Sequence, residues 1–198
     1  MDKKVLGGIG VVAVLVIGFL AYKAMSLRSE AAKWTGPMKE IVEEEIKHDG
    51  TVTHSRYVSL IDAPVDAVQK AIWAVEDSPQ TVENIKMAKV LESKDNTKLV
   101  EINLQALTLP LQNFTMLWTL YPDQHRITFK TVKSQAQDIE AEYKLEPSPD
   151  GKRTRLTYTT TSKDKIAVPF PQSVLDSANR ETYVNTVRGI QKTVKAQG

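Results

Sequence analysis

No cysteine occurs in the 198 residues. That absence removes a thiolate nucleophile, a zinc-thiolate cluster and any disulfide, and it suits oxidising and reducing compartments alike. Histidine is scarce too: His48, His54 and His125 show no paired ligand spacing, so no metal is expected. His54 falls in a strand-like stretch, where a lone histidine is more often hydrogen-bonded or exposed than catalytic, and His125 falls in a turn. No Ser-His-Asp triad, catalytic carboxylate pair or glycine-rich phosphate loop can be assembled. The expected cofactor is none, and the chain reads as a binding protein rather than an enzyme.

Charge of one sign is also missing. Of the 26 Lys and Arg and 24 Asp and Glu, only Lys3, Lys4, Lys23 and Asp2 lie before residue 26, so the remainder carries 23 of each. A neutral domain lacks the basic face that neutralises phosphates, so no nucleic-acid partner is expected. The run Glu43-Glu44-Glu45 adds local repulsion.

What the chain does have is one long apolar run, Val5 to Tyr22, bracketed by Lys3, Lys4 and Lys23. At a rise of 1.5 Å per residue it makes a helix of roughly 27 Å, close to the hydrocarbon thickness of a bilayer, about 30 Å. A cleaved signal peptide is the rival reading. The run exceeds the usual apolar core of about 7–15 residues, and Ala24-Met25-Ser26 is a mediocre cleavage site, which favours an uncleaved anchor. Gly7, Gly8, Gly10 and Gly18 form no GxxxG repeat, so a lipid-facing helix is expected. Basic residues lie on both sides, but so short an N-terminal tail favours a cytoplasmic start. The expectation is a single-pass protein of a bacterial-type inner membrane with its large domain periplasmic rather than cytoplasmic.

The expected organisation is an anchor over 1–25, a linker and short stalk helix over 26–50, and a ligand-holding domain over 51–198. Trp34 suits the membrane interface and packing on the domain equally. Pro37 opens the stalk helix, Met38, Ile41, Val42 and Ile46 share one face, and Asp49-Gly50 stops it. Strand pattern runs from Thr51 to Ile61. A helix then starts at Pro64 with Val65, Val68, Ile72 and Val75 inward, and a second is signalled by Ser78-Pro79, the Ser hydroxyl capping it.

Six antiparallel strands follow, over 87–92, 99–107, 111–120, 126–132, 139–146 and 155–162, separated by turns such as Lys94-Asp95-Asn96 and Tyr121-Pro122-Asp123. Ile139, Ala141, Tyr143 and Leu145 face one way and Glu140, Glu142, Lys144 and Glu146 the other, so one side of this meander is wet. The apolar loop Ile166 to Pro171 precedes a terminal helix over 172–196 with Val174, Ala178, Val184, Val187, Ile190 and Val194 available for burial.

This order, with Ser59-Leu60-Ile61-Asp62-Ala63-Pro64-Val65-Asp66-Ala67-Val68 and Val168-Pro169-Phe170-Pro171, resembles the SRPBCC or START-like superfamily, which includes polyketide cyclases, lipid-transfer domains and coenzyme-Q-binding proteins. Gln69 stands where many relatives place a tryptophan, and Trp73 comes a turn later. The resemblance covers 51–196. It implies an α+β helix-grip fold, a curved antiparallel sheet wrapped on a long C-terminal helix, with an apolar cavity for a lipid, quinone, sterol-like or polyketide-like molecule. Alternation puts Ile102, Leu104, Phe114, Met116, Trp118, Ile127, Phe129, Tyr143, Leu156 and Tyr158 on one apolar face. For any one of them, filling a solid core is the alternative to touching a ligand. Glu101, Asn103, Gln105 and Asn113 fall on the opposite, solvated face.

The expected ligand-binding residues are Phe114, Met116, Trp118, Phe129, Tyr143, Tyr158 and Phe170, the two phenols offering polar contacts. The expected function is a membrane-anchored carrier or sensor of a hydrophobic small molecule. One alternative is an accessory subunit of a membrane protein complex, docked through the anchor and the stalk. A third, a cyclase-like enzyme, rests on the resemblance alone.

Overall fold

The computed structural model describes residues 31–107, 109–166 and 169–197. Alternating burial along the chain builds one eight-stranded antiparallel sheet. Its strands are β1 (Lys39–Asp49), β2 (Val52–Ile61), β3 (Ile85–Lys94), β4 (Thr97–Leu104), β5 (Gln112–Tyr121), β6 (Arg126–Ser134), β7 (Gln137–Pro147) and β8 (Thr154–Asp164). They lie in the order β1-β2-β8-β7-β6-β5-β4-β3, so β3 to β8 form an uninterrupted meander and the β1–β2 hairpin joins beside β8. Left-handed residues close the tight turns: Gly50 at φ 59° between β1 and β2, and Asp95 at φ 48° between β3 and β4.

Between β2 and β3 come α1 (Val65–Trp73), a 3-10 turn over Val75–Asp77 and the single-turn α2 (Ser78–Thr81). Val68, Ile72 and Val75 are buried as their spacing requires. The Ser78 hydroxyl donates to Val75 O at 2.6 Å instead of capping N–H groups, which corrects its expected role. The 26-residue α3 (Gln172–Gln197) ends the chain and buries Tyr183, Val187 and Ile190 in the same core as the inner face of the sheet. A Cβ at Gly189 would sit 2.5 Å from Val82 Cγ2, so glycine there lets α3 approach the end of α2 closely.

Two compact units divide the chain, Met1–Pro37 and Met38–Gly198. The described part of the first is residues 31–37, where Thr35 Oγ1 donates to Ala32 O at 3.0 Å. Among the described residues no helix is long and apolar enough to cross a membrane. The expected anchor, Val5 to Tyr22, lies outside the described residues.

The expected stalk helix is corrected: residues 39–49 are strand β1, paired with β2 from Lys39↔Leu60 to Asp49↔Val52. The helical spacing of Met38, Ile41, Val42 and Ile46 loses to tertiary pairing. Ile46 sits opposite buried Ser55, and Ile41 reaches the core from the register irregularity between Lys39 and Glu43. The acidic run likewise finds partners rather than mere repulsion. Glu43 pairs with Arg56 and Arg155, Glu44 with Arg180 of α3, and Glu45 with Lys47, while Glu40 meets Arg188 of α3.

Candidate functional site

Register decides which side chains meet on the concave face. Cross-strand pairs set Ile102 against Phe114, Val100 against Met116, Trp118 against Phe129, Ile127 against Tyr143, and Tyr158 against both Tyr143 and Tyr57. Each pair projects to one side because the side-chain period of a strand is two. The rings form a continuous run. Trp118 and Phe129 stack at 4.5 Å between centroids, Phe129 and Tyr158 at 6.3 Å, Tyr158 and Tyr143 at 4.8 Å, and Tyr183 joins Tyr57 at 4.8 Å. Between this aromatic wall and α3 lies a cavity of about 840 Å³.

All seven residues expected to bind a ligand line that cavity: Phe114, Met116, Trp118, Phe129, Tyr143 and Tyr158 from the sheet, and Phe170 from the loop before α3. Two further aromatics in the wall, Tyr57 and Tyr183, escaped the sequence reading. Tyr57 had a signal, since Ser55, Tyr57, Ser59 and Ile61 alternate and all four are buried. Tyr183 was masked by its neighbour Val184, which fits the apolar stripe equally well. The helix instead turns Ala178, Tyr183, Val187 and Ile190 inward and leaves Val184 half-buried.

The four tyrosines differ in what their hydroxyls do. Ser59 Oγ hydrogen-bonds both Glu40 O and Tyr183 Oη. A carbonyl only accepts, so Ser59 donates to Glu40 and Tyr183 donates to Ser59. Tyr57 Oη is sealed from solvent and makes no hydrogen bond of ordinary geometry, and Trp118 Nε1 is sealed in the same way. Burial pushes the Tyr57 phenol up to about 12, Glu44 adds to the rise, and Ser55 offsets a little of it. Burial also pushes Tyr158 up to about 12, with Thr160 as the opposing polar neighbour, and it raises Tyr143 well above the ordinary phenol range. These groups are neutral near pH 7.

No family model matches the chain, and no curated protein matches it in sequence. Solved structures do match in fold. The Zhui aromatase/cyclase of Streptomyces sp. R1128 superposes with a TM-score of 0.66 at 14% identity, over 74% of this chain and 95% of its own. The fold is a helix grip. A START superfamily protein from Mycobacterium smegmatis matches at TM-score 0.59 and 13% identity, over 73% of this chain and 99% of its own. The human StarD13 (DLC2) lipid transfer and protein localization domain matches at 0.59 and 19% identity, over 84% and 95%. At such identities the likeness is one of fold.

In this helix grip the charged side chains along the cavity sit at its rim. The charged residues along the cavity are Asp77, Glu101 and Lys133, each at least partly exposed. Buried Lys98 is not in the wall: it donates to Trp73 O and to both oxygens of Glu76 at 2.9 Å, fastening the 3-10 turn to β4. His54 Nδ1 lies 3.0 Å from Thr161 Oγ1, His48 bridges Thr53 and Asp176, and His125 meets Gln69 at 3.2 Å. Gln69 thus ties α1 to the turn before β6. Asn113 Nδ2 reaches toward Glu101 Oε1 at 3.5 Å, and both residues, expected on the opposite, solvated face, also line the cavity, which corrects that placement. Among the described residues no three His, Asp or Glu side chains cluster closely enough to hold a metal ion.

Proposed function

We propose that this protein is a membrane-anchored carrier or sensor that holds a hydrophobic small molecule between its sheet and α3. The observation that carries the reading is the cavity of about 840 Å³ walled by stacked aromatic side chains. A cavity in the range of about 300–1,000 Å³, mostly apolar with a few polar groups, is the usual form of a small-molecule site. The same fold in a lipid transfer and protein localization domain and in an aromatase/cyclase supports it. The run Val5 to Tyr22 supplies the anchor, and a tether shortens the path from bilayer to cavity.

The accessory-subunit alternative loses one motive. Its stalk was to present Met38, Ile41 and Ile46 to a partner, and Ile41 and Ile46 pack against the core from β1. A cyclase-like activity needs a reactive pair in the cavity; the phenols of its wall are neutral near pH 7, and the charged residues along it, Asp77, Glu101 and Lys133, stand at partly or fully exposed positions.

The test is native mass spectrometry of the full chain released gently from membranes, followed by solvent extraction. A defined apolar molecule at one equivalent is expected. A protein that arrives empty, with a stoichiometric partner subunit, would overturn the carrier reading.

A further inference from the structure

Resting on the cavity reading above, we propose that the Tyr143 phenol is the polar recognition point of the cavity and selects a neutral ligand carrying a carbonyl or similar uncharged oxygen, against carboxylates and phosphates. Three of the wall's aromatic donors are closed to a ligand. The Tyr183 hydroxyl is bonded to Ser59, and Tyr57 Oη and Trp118 Nε1 are sealed within the wall. Tyr158 has Thr160 beside its phenol. Tyr143 is different: it lines the cavity, only 6% of it is exposed, its described contacts are rings, and its hydroxyl is not among the sealed groups. A ligand acceptor placed against this open hydroxyl makes one net hydrogen bond, whereas a hydrocarbon that displaces water from it leaves the phenol unpaired.

Selection against anions follows from what surrounds that phenol. Its titratable neighbours are the phenols of Tyr158 and Tyr183, and neither is a cation. The buried cations among the described residues, Lys98 and Arg155, are absent from the wall and already neutralised by Glu76 and Glu43. Lys133, among the described residues the one cation along the cavity, is exposed. An anion driven to Tyr143 would lose its hydration without gaining a counter-charge, whereas a ketone loses little and gains a donor.

The experiment compares three molecules of one shape on the full chain in detergent: fluorene, fluorenone and fluorene-9-carboxylate, titrated by calorimetry. Fluorenone is expected to bind about tenfold tighter than fluorene, the worth of one net hydrogen bond, and the carboxylate more weakly than both. Tyr143→Phe keeps the ring and removes the hydroxyl; it should abolish the fluorenone preference, so that fluorene and fluorenone bind equally, and a far-UV circular dichroism spectrum matching the wild type reports that the variant is folded. Independently of any variant, the infrared carbonyl stretch of bound fluorenone should fall below its value in hydrocarbon solvent. Equal binding of fluorene and fluorenone by the wild type, or an unshifted stretch, overturns the assignment while the cavity reading stands. Tight binding of the carboxylate overturns the selectivity. Binding of none of the three overturns the cavity reading itself, and this assignment with it.

Discussion

The two ends of the cavity are built on different terms. At the closed end, Tyr57, Leu145, Leu156, Tyr183 and Val187 belong to one continuous core, and the adjoining wall is a stack of rings fixed by sheet register. At the other end, where β4, β6 and β8 finish and β5, β7 and α3 begin, a separate small cluster of Ala106, Leu109 and Ala178 packs with Phe170, Val174 and Leu175. Leu107, Leu111 and Ile166 stand exposed around it. The closed end owes its order to long-range pairing of strands. The open end owes its order to two short loop segments meeting the first turns of a helix, and it buries far less apolar surface in doing so. On the carrier reading proposed above, a molecule would enter by disturbing the second without unfolding the first.

Matched truncations break this comparison most directly. Leu156, fully buried between strand neighbours, should lose about 3 kcal/mol or more of unfolding free energy on change to Ala, because the surrounding sheet cannot collapse into the void. Leu109→Ala removes the same atoms from the small cluster and should cost about 1–2 kcal/mol, since loop segments relax into the space. Urea denaturation of both variants measures the difference. Equal losses would mean the two ends unfold as one cooperative unit of uniform rigidity.

The alkaline limb of stability sharpens the contrast, because the ring stack carries phenols and the small cluster does not. Tyr57 and Tyr158 are held up to about 12 against an ordinary value of 10.0, so the folded form keeps protons that the unfolded chain releases. Their contribution is intact below pH 10 and is lost as the pH rises from about 10 through 12. Tyr158→Phe removes one such proton and should flatten the fall over that window, as read from denaturant midpoints at pH 9, 10 and 11. An unchanged slope would mean that Tyr158 reaches solvent freely.

Much of this architecture was legible in the sequence because alternation is a local signal. Ile139, Ala141, Tyr143 and Leu145 announce both strand and inner face, and Asp95 announces the turn that pairs β3 with β4. What stayed hidden depends on distant partners. Residues 39–49 carry a genuine helical stripe, and they become a strand because β2 offers a ladder and Arg56, Arg155, Arg180 and Arg188 offer charges from far along the chain. Tyr183 was lost to Val184 because one residue's rotation on a helix is settled by packing. The volume between sheet and helix was beyond any pattern, since the same aromatic face suits a filled core and a cavity wall.

The smallest expected effect has the opposite sign and lies at the open end. Leu107 adopts φ 50°, a left-handed conformation that β-carbon sterics disfavour, and its side chain is 48% exposed, so little packing repays the strain. Leu107→Gly accepts that backbone without a side-chain clash, though it also widens the unfolded ensemble. The net should be neutral to stabilising by about 0.5–1 kcal/mol in chemical denaturation, against the loss that a leucine truncation brings anywhere in the main core. A cost above about 1 kcal/mol would show that the Leu107 side chain is packed at the cavity mouth in solution. The open end would then be as firmly built as the closed one, and the route of entry assigned to it would have to be sought elsewhere.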